Sequence, residues 1–163
     1  MSLEQILEAV REFDGVLELA PTAGSEFPEI AWGDHFFYYA PDGKVPAREQ
    51  PYATVVTKNY PDDTSCDLDT PGRRRLNIHV GRGHFIKLTG EDPRSEPAAW
   101  DYSATDIVVP HPLYRRQGWV SIINPGEGTH RQALVLLRAA HDDAKRRFLR
   151  RRGAQVLGVR GDR

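Results

Sequence analysis

Arg75-Leu76-Asn77-Ile78-His79-Val80 alternates without a break, setting Leu76, Ile78 and Val80 on one side of a strand and Arg75, Asn77 and His79 on the other. One apolar face and one polar face describe a strand in an antiparallel sheet that covers a core on one side only. Working outward, Gly81-Arg82-Gly83 ends this strand and His84 to Leu88 reads as a short helix before the breaker segment from Glu91 to Pro97. On the N-terminal side, Tyr52-Ala53-Thr54-Val55-Val56-Thr57 is a strand by composition, joined to the first by a polar loop from Asn59 to Gly72 that carries Cys66, Asp67 and Asp69. Further back, His35-Phe36-Phe37-Tyr38-Tyr39 and Ile30-Ala31-Trp32 flank Gly33-Asp34, which predicts a two-residue hairpin.

The ends of the chain read as helices. Ser2 and Gln5 form a capping box, after which Leu3, Ile6, Leu7 and Val10 recur at helical spacing until Asp14-Gly15. Thr129 and Gln132 form a second capping box, and Ala133, Leu136, Leu137, Ala140, Ala144 and Phe148 trace one face of a long helix. Between them, Gly118-Trp119-Val120-Ser121-Ile122-Ile123 is a last strand closed by Asn124-Pro125-Gly126, while Trp100 to Val109 carries no decisive pattern. The expected architecture is α+β: a largely antiparallel sheet of about five strands, with an N-terminal helix and a long C-terminal helix packed on it. Residues 1–152 form a single domain in this view and 153–163 a flexible tail.

Composition narrows the function. With 163 residues, 22 basic against 23 acidic and a formal net charge of -1, the chain has no overall positive field of the kind that binds nucleic acid generally. The single cysteine, Cys66, rules out an internal disulfide and a thiolate cluster, and its acidic neighbour Asp67 argues against a nucleophilic thiolate. Neither a secretory leader pattern nor an apolar run approaching the roughly 20 residues of a membrane span occurs, so a cytoplasmic protein without a membrane partner is expected.

Chemistry concentrates in Pro110-His111-Pro112-Leu113-Tyr114-Arg115-Arg116-Gln117-Gly118-Trp119, where prolines on both sides restrain His111. If this passage lies against the polar face of the 75–80 strand, Arg75, Asn77, His79, His111, Tyr114, Arg115 and Trp119 form one ligand site. Arginine and histidine would hold an anionic or carbonyl group while the aromatics stack a ring. The plainer alternative leaves Arg75, Asn77 and His79 facing water, with Tyr114 and Trp119 at the edge of the core. His35, His79, His84, His111, Asp67 and Asp69 lack the spacing of a metal site, and Gly81-Arg82-Gly83 lacks the third glycine of a dinucleotide loop because Ile86 stands there. No metal or cofactor is therefore expected. The basic helix end, Lys145-Arg146-Arg147 and Arg150-Arg151-Arg152, reads as a solvated terminus, and Phe36 to Tyr39 as a half-buried strand.

The blocks Tyr52 to Thr57, Asp67 to Gly72, Arg75 to Gly81, Pro110 to Tyr114, Trp119-Val120 and Asn124-Pro125 resemble a family of bacterial proteins with no assigned function, across most of residues 1–150. The order of elements, with a tryptophan-bearing strand before the last helix, is also similar to the MmcQ/YjbR-like proteins, commonly labelled DNA-binding. That resemblance implies a compact α+β fold and does not license a function.

The expectation is a small non-enzymatic binding domain for an anionic or aromatic ligand, with nucleic acid a further candidate that the net charge does not support. The alternative is a hydrolase or lyase, with His111 or His79 as general base, Arg75 or Arg115 stabilising developing charge, and Asp67 or Asp69 within reach of the histidine. A homodimer joined through the aromatic hairpin is a third candidate. Arg75→Ala is expected to weaken binding with stability nearly intact.

Overall fold

In the computed structural model the strand read first is the hub of the sheet. The structure describes the backbone of residues 1–161 and the side chains of residues 1–153. Strand β4 (Arg75–His79) lies between β3 (Ala53–Val56) and β6 (Trp119–Ile123), all antiparallel, with Asn77 opposite Thr54 on one side and Ser121 on the other. Beyond β3 come β2 (His35–Tyr39) and β1 (Val16–Leu19); beyond β6 comes the two-residue β5 (Val109–Pro110). The order β1-β2-β3-β4-β6-β5 makes a six-stranded sheet. Pro110 sits on the edge strand, where its missing N–H costs no ladder bond to a further neighbour.

Helix α1 (Leu3–Arg11) begins at the expected capping box: Ser2 N donates to Gln5 Oε1 at 2.9 Å and Gln5 N to Ser2 Oγ at 3.4 Å. Its buried stripe Leu3, Ile6, Leu7 and Val10 packs with Ala133, Leu136, Leu137 and Ala140 of α3 (His130–Gly161) over Phe37, Val55, Leu76, Ile78, Val120 and Ile122 of the sheet. Helix α2 (Gly81–Thr89) leaves the end of β4 and buries Phe85 in the same core. A smaller apolar cluster of Val56, Cys66, Leu68 and Ile123 lies apart from it, so the loop after β3 packs on the other side of the sheet. Cys66 is fully buried there, and its sulfur accepts from Arg75 Nη1 at 3.2 Å instead of lying among carboxylates.

Three local expectations need correcting. Glu29–Ala31 is a single 3₁₀ turn and not a strand, and β2 pairs with Val16–Leu19, a segment that follows Gly15 directly. The predicted Gly33-Asp34 hairpin fails because Asp34 is used elsewhere. Fully buried, its carboxylate accepts from Thr57 N at 2.9 Å, Thr57 Oγ1 at 2.8 Å, Lys58 Nζ at 3.0 Å and the Tyr60 hydroxyl, tying the start of β2 to the end of β3. At the start of α3, Thr129 donates its hydroxyl to Asp106 at 2.6 Å, and the amides of Gly126 and Gly128 reach the same carboxylate at 2.8 Å each. The turn is thus held from the Trp100 to Val109 region instead of by a local capping box. Where a tail was expected over 153–163, α3 continues to Gly161, and the side chains of 154–163 lie outside the described residues. No helix among the described residues is long and apolar enough to cross a membrane.

Gly118 is the glycine this arrangement requires. It has φ +84°, and a Cβ there would stand 3.0 Å from the Gly81 Cα, where the start of α2 crosses the turn into β6. Val80 N and Gly81 N both donate to Gly118 O, at 2.9 and 3.1 Å, locking the 111–119 passage onto the end of β4.

Candidate functional site

The residues alternating with the core set form the opposite face of the sheet. Phe36 and Tyr38 come from β2, Thr54 and Val56 from β3, Arg75, Asn77 and His79 from β4, and Trp119 from β6. With the loop from Tyr60 to Asp63 and the 111–119 passage they line one cavity of about 770 Å³, within the size range of small-molecule pockets. Six of the seven residues singled out in the sequence line it, namely Arg75, Asn77, His79, His111, Tyr114 and Trp119; the seventh, Arg115, does not.

Arg75 is 2% exposed, which overturns the solvated alternative for this face. Its Nη1 and Nη2 donate to the two carboxylate oxygens of Asp63 at 3.0 and 2.6 Å, a bidentate buried pair, while Nε has no partner among the described residues. Burial pushes the Asp63 carboxyl up, but the hydrogen bonds and charge of Arg75 outweigh it and hold the group below its ordinary range. Arg75 therefore brings donors to the cavity without net positive charge. Asn77, also 2% exposed, donates to Thr54 Oγ1 at 3.0 Å and accepts from Ser121 Oγ at 2.7 Å, giving a neutral polar row across β3, β4 and β6.

His111 is 3% exposed, and its Nδ1 accepts from the amides of Leu113 and Tyr114 at 3.0 and 3.1 Å. Two N–H groups aimed at one ring nitrogen require a lone pair there, so the proton sits on Nε2. Burial, reinforced by the Arg75 charge and only partly opposed by Asp63, takes its pKa down to about 3. The ring is thus neutral, its basic nitrogen is engaged by the backbone, and its remaining polar group is a donor. His79 has the opposite arrangement. Its Nε2 is 2.9 Å from Gln117 O and so carries the hydrogen, leaving Nδ1 as acceptor; burial lowers its pKa against that bond, and the Arg147 charge lowers it further.

Trp119 is tilted against His79 with ring centroids 5.6 Å apart, and Tyr114 lies 4.8 Å from His111 and is 50% exposed at the rim. Arg115 turns away to bind Glu91 Oε1 at 3.2 Å and the carbonyls of Pro93 and Asp92, with its guanidinium 5.5 Å from the centre of the Phe85 ring. Its role is to fasten the loop after α2, and neighbours in sequence diverge here because Gly118 ends a 3₁₀ turn over Arg115–Gln117. The acids proposed to assist a histidine base are also elsewhere. Asp67 accepts from Thr70 Oγ1 at 2.9 Å and Asp69 from Asn59 N at 2.9 Å, and neither lines the cavity.

With the geometry in place, comparison with known families gives one match: a family described as "Family of unknown function (DUF6194)" matches residues 1–153. The chain belongs to the DUF6194 family. No curated protein and no solved structure matches it, so DUF6194 membership brings no chemistry from outside. For this DUF6194 chain, sequence reasoning missed Asp63, Phe36 and Tyr38 as cavity residues. The alternation of β2 held the signal for the two aromatics, whereas nothing near Asp63 marks it as the partner of a residue twelve positions later. No group of three or more His, Cys, Asp and Glu among the described residues is arranged to hold a metal ion.

Proposed function

We propose that this protein is a non-catalytic binding domain whose open sheet face holds a small molecule containing an aromatic ring. The observation that carries this is the single cavity shared by Asn77, His79, His111 and Trp119, with aromatic side chains on its walls and a neutral hydrogen-bonded floor. A strongly anionic ligand has less support than the sequence implied, because Arg75 is neutralised by Asp63 and Arg115 is held by Glu91. Nucleic acid has less still: at the basic end of α3, Arg147 and Arg151 lie 3.8 and 2.8 Å from Glu49. Self-association through the β2 aromatics is likewise weakly supported, since Phe37 and Tyr39 are buried and Phe36 and Tyr38 face the cavity. The MmcQ/YjbR likeness fits the layering of two helices on one side of an antiparallel sheet and adds nothing to the choice of ligand. We place the protein in the cytoplasm, on the strength of its lone buried cysteine.

One observation favours the enzymatic alternative. His79, with its hydrogen directed to Gln117, keeps an acceptor nitrogen that a general base needs, which His111 lacks. Among the described residues no carboxylate bonds to His79, so binding without turnover is the better account.

The test is a fragment screen by thermal shift and ligand-observed NMR on the full chain, run beside Trp119→Ala. Planar fragments should raise the melting temperature of the wild type and lose that effect in the variant. Hits that bind both proteins equally would move the ligand away from this face.

A further inference from the structure

The cavity floor has an unusual balance of hydrogen-bond donors over free charge. Arg75 Nε–H is buried without a partner among the described residues, and His111 presents Nε2–H because its other nitrogen is held by two amides. The two buried charges among the described lining residues, Arg75 and Asp63, cancel in a bidentate pair. The remaining lining cations, Arg48 and Arg147, come from the exposed loop before β3 and from α3 beside Glu49. The Arg147 charge is felt at His79, on the far side of Trp119 from His111.

Resting on the reading of this cavity as a ligand site, we infer that its floor selects an uncharged hydrogen-bond acceptor on a planar ring, such as an amide or ring carbonyl, over a carboxylate or phosphate. A carbonyl oxygen can accept from the free Nε2–H of His111 and surrenders little hydration. A carboxylate delivered to the same depth loses its water shell, stands beside the Asp63 carboxylate, and finds the buried Arg75 already paired. Trp119, Phe36 and Tyr38 give the ring a flat apolar enclosure, and the Thr54, Asn77 and Ser121 row offers dipoles without charge.

Matched probe pairs separate the two classes: nicotinamide with nicotinate, benzamide with benzoate, and uracil with its carboxylate orotate, titrated at pH 7 against the full chain and Trp119→Ala. At least one neutral member should bind in a Trp119-dependent way, with its carboxylate counterpart weaker by about ten-fold or more. Asp63→Asn, which leaves Arg75 with an uncancelled charge, should narrow or reverse that gap; the wild-type comparison stands whether or not the variant folds. A carboxylate binding as tightly as its neutral partner at Trp119 overturns the inference and leaves the cavity intact as a ligand site. So does the failure of all three neutral probes when the fragment screen yields Trp119-dependent hits of another kind. If neither experiment finds any Trp119-dependent ligand, both readings fall.

Discussion

On the covered face of the sheet, Phe37, Val55, Leu76, Ile78 and Ile122 meet α1 and α3, whereas one step along the strands Thr54, Arg75 and Asn77 line the cavity, with Ser121 bonded behind Asn77. Arg75, Asn77 and Ser121 are as deeply buried as the apolar residues beside them. The covered face is stabilised by area removed from water, which is tolerant of partner identity. The open face is stabilised only because each polar group has found a specific partner, and losing one partner leaves another stranded. Equal burial therefore hides two different sensitivities.

The widest break in the comparison comes from two residues, one on each face, with similar cost and different remedies. Phe37→Ala should destabilise by about 3–5 kcal/mol through a cavity in the core, and Arg75→Ala by about 3–5 kcal/mol because Asp63 is left charged and buried. This reverses the expectation that Arg75→Ala would leave stability nearly intact. Combining Arg75→Met with Asp63→Leu should recover most of the second loss in urea denaturation, since the double change removes both charges. A cost below about 1 kcal/mol for Arg75→Ala would show that the pair is not what holds this face.

Lowering the pH should weaken the open face next. His111 titrates near 3 in the folded chain against 6.5 in an exposed one, so below 6.5 the unfolded state takes up a proton that the folded state refuses. Stability is full above pH 6.5 and declines as pH falls toward 3, by about 2 kcal/mol at pH 5 for this group. His79 and His141 are also held low by burial and act in the same direction. Denaturation at pH 7 and pH 5 should give a smaller difference in His111→Gln than in the wild type; an unchanged difference would assign the slope to the other histidines.

Smaller effects sharpen the contrast. Ser121→Ala takes the hydroxyl hydrogen from Asn77 Oδ1 and should cost about 1–2 kcal/mol despite removing only one oxygen. Arg150→Ala, on the exposed end of α3, should stay within about 0.5 kcal/mol by the same measurement.

Legibility followed the range of the interactions. The β4 alternation, the α1 capping box and the apolar stripe of α3 could be read because period and cap chemistry act within a few residues. The same alternation correctly grouped Arg75, Asn77 and His79 on one face. It could not show that this face is roofed by the Tyr60 to Asp63 loop and the His111 passage, and so took it as either solvent or site. Arg115 was misgrouped by its closeness in sequence to Tyr114 and Trp119, when Glu91 decided where its side chain went.

From the sequence alone came the α+β class, the antiparallel strands β3, β4 and β6, and the two flanking helices, since side-chain periodicity reports which face of an element is buried. Tertiary structure alone decided that β1 pairs with β2, that Asp63 neutralises Arg75, and that His111 keeps its proton on Nε2. These depend on burial and on partners brought in by the fold, and a buried group's charge and protonation are set by the neighbours that replace its water.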